Sequence, residues 1–86
     1  MIVTLDGALM TDREAIHDHL AQQLMLPDYY GRNLDALYDI LTERSVPLHI
    51  ILKNKSCFAG YALQVMHTLQ DAANNNPAIK LEEKDC

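Results

Sequence analysis

Tryptophan is absent from this 86-residue chain, phenylalanine occurs once, and glycine and proline occur three times each. So little Gly and Pro excludes a low-complexity linker, and 49% apolar against 22% charged residues excludes a disordered tail. Basic residues are also scarce: 7 Lys and Arg stand against 12 Asp and Glu, a formal charge of −5. That field repels nucleic acid and anionic membranes and attracts a basic partner. No basic cluster interleaved with aromatics offers a local exception. Long hydrophobic runs are missing too, none reaching the roughly 18 residues of a membrane span. The start Met1-Ile2-Val3-Thr4-Leu5-Asp6 lacks the basic segment and apolar stretch of a signal peptide, so residence in the cytoplasm is expected.

Patterns for catalysis are equally sparse. The two cysteines, Cys57 and Cys86, have no metal-like spacing, and two free thiols are expected. No His-Glu-x-x-His, Cys-x-x-Cys, EF-hand or glycine-rich phosphate loop occurs. His17 and His19, two positions apart, point about 200° from one another on a helix. Cys57 and His67 cannot be brought together by spacing. The chain is therefore expected to carry no metal, no cofactor and no enzymatic activity.

The length fits one domain, 1–86, without repeats or linkers. Met1–Leu5 reads as a strand ending in an Asp6-Gly7 turn. Thr11 and Glu14 fit a capping box for a helix whose Ile16, Leu20 and Leu24 share a face, and Pro27 marks its end. Asn33 can cap a second helix with Leu34, Leu37, Tyr38 and Leu41 on its apolar side. Leu48–Leu52, Leu-His-Ile-Ile-Leu, is densely apolar enough to be the central strand. A third helix runs from Phe58 through Ala62, Val65 and Leu69 to Ala72 or Ala73, and Ala78–Leu81 makes a last strand. The order β-α-α-β-α-β predicts an α/β fold, a three-stranded parallel sheet packed by helices mainly on one face. The strand order is left open.

The most informative segment is Leu26-Pro27-Asp28-Tyr29-Tyr30-Gly31-Arg32-Asn33-Leu34-Asp35-Ala36-Leu37-Tyr38-Asp39-Ile40-Leu41-Thr42. Counting from Leu34, Asp35 and Asp39 fall near 100° and 140° around the helix, whereas Leu37 and Leu41 return near 300° and 340°. Both aspartates leave the core together, a like-charge pair that a cationic partner could relieve. The segment resembles the barstar family, whose pattern Leu-Pro-x-Tyr-Tyr-Gly-x-Asn-Leu-Asp-Ala-Leu-aromatic-Asp it matches. The rest of the chain agrees in the order of its elements.

The resemblance implies a small barstar-like fold and an intracellular inhibitor that forms a 1:1 complex with a basic bacterial ribonuclease or nuclease toxin and is monomeric when free. A barstar-like immunity or interaction module with a different kind of partner is the alternative. The family implies partner contacts by Tyr29, Gly31, Asn33, Asp35 and Asp39, with Thr42, Glu43 and Arg44 at the edge and Tyr30 packing inward. Tyr38 can serve as core or rim, and Asp71 is the nearest match to a further acidic contact. Three positions depart from the family: Arg32 replaces an acid, Arg44 a tryptophan, and Tyr38 a tryptophan.

Overall fold

Alternation builds the sheet, and at its centre the outward row is half-buried rather than exposed. In the computed structural model, which describes residues 1–84, β1 (Ile2–Asp6) buries Val3 and Leu5 and exposes Ile2 and Thr4. Strand β2 (Leu48–Lys53) buries Leu48, Ile50 and Leu52 while His49 and Ile51 stay half-buried. With β3 (Ile79–Glu83) the three strands form one parallel sheet in the order β1-β2-β3. Val3 pairs with Ile50, and Leu48 with Ile79, so the apolar rows fall on one face. On the other face Ile2 is 69% exposed, and its row continues through His49 to Lys80.

Helices α1 (Arg13–Leu24), α2 (Leu34–Thr42) and α3 (Tyr61–Asn75) complete the expected order β-α-α-β-α-β. The first buries Ile16, Leu20 and Leu24, the second Leu37 and Leu41, the third Ala62, Val65, Met66, Leu69 and Ala72. These leucines and their neighbours join the inner face of the sheet in one core. α1 packs on β1, α3 on β3, and α2 chiefly on α3. Among the described residues no helix is long and apolar enough to cross a membrane.

Helix boundaries depart from the sequence expectation at the end of α3, which runs on to Asn75 past the expected Ala72 or Ala73, and in three further places. Asp12, not Thr11, caps α1: its backbone is extended at φ −148°, and its Oδ1 accepts from the Ala15 N–H at 2.8 Å. A carboxylate there satisfies an orphan donor and also faces the positive helix end. At the other end Met25, with φ 53°, closes the helix in the left-handed region. Finally, α3 starts at Tyr61 because Lys55–Cys57 forms a 3-10 turn and Gly60 takes φ 59°, which leaves Phe58 as a buried plug before the helix. Cys57 is a free, exposed thiol, whereas Cys86 lies outside the described residues.

One polar side chain ties the end of α2 to the start of β3. Asn76 is 6% exposed; its Nδ2 donates to the carbonyls of Leu41 and Arg44, each at 2.8 Å, and its Oδ1 accepts from the Ala78 N–H at 3.0 Å. Replacing it with Ala strands the Arg44 carbonyl and the Ala78 amide and takes one donor from the Leu41 carbonyl, which keeps the Arg44 N–H, for an expected loss of about 2–4 kcal/mol. Urea unfolding of Asn76→Ala checks this, and a loss below about 0.5 kcal/mol, the scatter of ordinary surface changes, contradicts it.

Candidate functional site

Helix α2 is fixed at its start by its own sequence. Asn33 is extended at φ −145°; its Oδ1 accepts from the Ala36 N–H at 2.7 Å, and its Nδ2 donates to the Gly31 carbonyl at 3.1 Å. Such a cap contributes about 1 kcal/mol. A Cβ on Gly31 would stand 3.1 Å from Asn33 Nδ2, so glycine leaves the capping amide its place. With Leu37 and Leu41 buried, the opposite side of the helix presents Asp35, Asp39 and, at the C-cap, Glu43. Their four-residue spacing makes one exposed acidic stripe. Among the described residues none of the three carboxylates is held by a salt bridge or a side-chain hydrogen bond. The stripe therefore carries uncompensated negative charge on a rigid support.

Its flanks are mixed. Tyr29 is 83% exposed and Tyr30 is buried. Tyr38 is half-buried, its hydroxyl accepting from Asn75 Nδ2 at 3.0 Å. The same amide group donates to the Asp71 carbonyl at 3.0 Å, which sets the exposed Asp71 turn of α3 beside the Tyr38 edge. Thr42 turns its hydroxyl back onto the Tyr38 carbonyl at 2.8 Å. Both arginines of the region are engaged within the chain. Arg44 donates from Nε to the Val46 carbonyl at 3.1 Å and from Nη2 to Met1 Sδ at 3.3 Å. Arg32 Nη2 donates to Asp18 Oδ1 at 2.8 Å and to the Glu14 carbonyl at 3.3 Å. Neither guanidinium neutralises the stripe. No group of three His, Cys, Asp or Glu side chains that could hold a metal occurs among the described residues.

Sequence reasoning missed the polar centre beneath this segment. His17, 2% exposed, has Nδ1 at 2.6 Å from the Tyr30 hydroxyl and Nε2 at 2.8 Å from the Tyr61 hydroxyl. A neutral imidazole satisfies both, donating from one nitrogen and accepting at the other. The signal was present: on a helix Ile16, Leu20 and Leu24 span an arc of about 80°, and His17 lies about 20° beyond its edge at Leu24. Burial, with the Arg32 and Arg13 guanidiniums adding to it, holds the imidazole below its ordinary 6.5, against a small opposing pull from Asp18. Burial, helped by Tyr61, pushes the Tyr30 phenol up to about 12. Burial also holds His19 low, with Asp6 opposing; its Nε2 accepts the Asp6 N–H at 3.1 Å.

Because the folded pKa of His17 is depressed, the unfolded chain takes up the proton first as pH falls. Its stabilisation is thus complete above about pH 6.5 and is lost progressively below it, toward the lower folded pKa. Unfolding free energy should fall from pH 7 to 5, and His17→Gln should show a shallower fall, with the part due to His19 remaining. Equal slopes for the two proteins in urea titrations would contradict this.

The family model described as barstar (barnase inhibitor) matches residues 1–83. A protein of Bacillus subtilis (strain 168) named "Putative ribonuclease inhibitor YrdF" is 44% identical over 75 residues, covering 81% of this chain and 82% of that protein.

Proposed function

The chain belongs to the barstar family, and on that premise we propose that it inhibits a bacterial ribonuclease by laying the acidic stripe of α2 into the enzyme's phosphate-binding site. The observation that carries this reading is the exposed, uncompensated row Asp35, Asp39 and Glu43 on a capped helix. A ribonuclease holds its anionic substrate with Arg, Lys and protonated His side chains, and carboxylates at helical spacing can occupy the same positions. Asp35, in the first turn, already interacts with the helix dipole; Asp39 lies beyond it and gains most from an external cation. Tyr29, on the flank, offers an exposed aromatic anchor.

The chain performs no chemistry in this mechanism; it excludes substrate sterically and electrostatically in a 1:1 complex in the cytoplasm. The formal charge of −5 speeds the encounter with a basic enzyme. The name of the Bacillus subtilis relative supports the same reading. With Arg32 and Arg44 bound to groups of this chain, a partner recruited by those cations has less in its favour.

Mixed with a purified barnase-type ribonuclease, the chain should abolish RNA cleavage at one equivalent, and association should slow as salt rises. Replacing Asp39 by Ala should weaken the complex by about 2–5 kcal/mol, a range that rests partly on complexes of this same family, and by more than Asp35→Ala does. Neither change opens a cavity, so urea unfolding of the free variants should stay within about 0.5 kcal/mol of wild type. An Asp39→Ala complex as tight as the wild-type one would sink this mode of binding.

A further inference from the structure

The segment that leads into α2 is joined to α1 at three positions within about one helical turn. Tyr30 reaches down to His17, and Arg32 reaches across to Asp18 and to the Glu14 carbonyl. Residues 17 and 18 each stand one turn from residue 14, so the three contacts cluster within a single turn of α1. Between them the backbone does something unusual: Arg32 has φ 55°, the left-handed region, where a long branched-free side chain gains nothing and a Cβ is crowded. Residues kept in that region without being Gly or Asn need surroundings that hold them there. The next residue is Asn33, the cap of α2. The kink at Arg32 thus sets where the helix carrying the acidic stripe begins.

We propose that Arg32 is a positioning residue for the partner-facing segment 27–33: by bridging Asp18 and the Glu14 carbonyl, it clamps the left-handed kink that presents Tyr29 and starts α2 in register. The clamp rests on the ribonuclease-inhibitor reading only for what the segment binds. It differs from a role for Arg32 as a cation at the rim of the interface, because here the guanidinium acts through α1. The pair is exposed, with side chains 43% and 64% accessible, so it should add little to global stability. Its effect is expected in the local opening of the segment and, through the fraction of binding-competent molecules, in affinity.

The test uses full-length Arg32→Ala, Asp18→Ala and the double variant. Amide hydrogen exchange of the free proteins reads the clamp directly at Tyr30, whose N–H bonds the Pro27 carbonyl, and at Ala36 and Leu37, whose N–H groups bond Asn33. Arg32→Ala, which loses both bonds, should exchange several-fold faster at these amides, and Asp18→Ala, which keeps the Glu14 carbonyl bond, faster by a smaller factor. The double variant should be no faster than Arg32→Ala, while α3 core amides and the urea midpoint stay unchanged. Affinity for a purified barnase-type ribonuclease follows the closed fraction, so while the segment stays mostly closed the loss should be under about twofold in either variant. Unchanged exchange in either single variant overturns the clamp. So does an affinity loss for Arg32→Ala larger than its closed fraction accounts for and absent from Asp18→Ala, which would make Arg32 a direct contact. Should the wild-type chain bind no such ribonuclease, the inhibitor reading fails and the exchange data alone decide the clamp.

Discussion

Three parallel strands laid down in the order β1-β2-β3 leave their crossovers little freedom. Each connection must leave the end of one strand and return to the start of the next, and right-handed crossovers stepping the same way across a sheet land on the same face. All three helices therefore share that face, and Ile2, Thr4 and Lys80 on the other remain exposed. The first crossover carries two helices. α1 packs on β1 and α3 on β3, so α2 is left to pack chiefly on α3 with its far side in water. The acidic stripe occupies the face of α2 that the topology leaves uncovered and that the Leu37 and Leu41 spacing turns outward.

A stripe of like charges disfavours its own helix by about 0.2–0.5 kcal/mol per adjacent pair. The surroundings offset this with local polar contacts rather than with countercharges. Asn33 caps the start, Asn76 gathers the carbonyls after the end, and Asn75 fixes Tyr38 at the side. Countercharges would have weakened the field that a cationic partner meets. Rigid support matters for affinity because ordering side chains and loops on binding costs roughly 0.5–1.5 kcal/mol for each flexible side chain immobilised. The site is thus held in shape while its charge is left free.

Much of this was legible in the sequence, and the reason is periodicity. The 3.6-residue repeats of Ile16, Leu20 and Leu24, of Leu37 and Leu41, and of Val65 and Leu69 mark the buried faces found in the fold. The dense apolar run at Leu48–Leu52 belongs to the central strand, as a strand flanked on both sides should. Asp35 and Asp39 follow from the same arithmetic. What stayed hidden depends on contacts far apart in the chain: strand order, the His17 link to Tyr30 and Tyr61, and the Asn76 bridge to Leu41 and Arg44. The ends of α1 and α3 were missed for a different reason, since capping by Asp12 rather than Thr11 is decided by a backbone angle that composition does not encode. The engagement of Arg32 and Arg44 within the chain likewise has no local signature.

The central claim is that the outer face of α2, with the segment before it, is the surface by which this chain meets its partner. Backbone amide chemical-shift mapping tests it most directly: the labelled chain is titrated with one equivalent of a barnase-type ribonuclease, or with the partner captured from its native source. The account predicts shifts concentrated at residues 29–44 and around Asp71, with Ile2, Thr4, His49 and Lys80 on the bare face of the sheet unmoved. Shifts centred on that bare face, with Asp35 and Asp39 unperturbed, would contradict it.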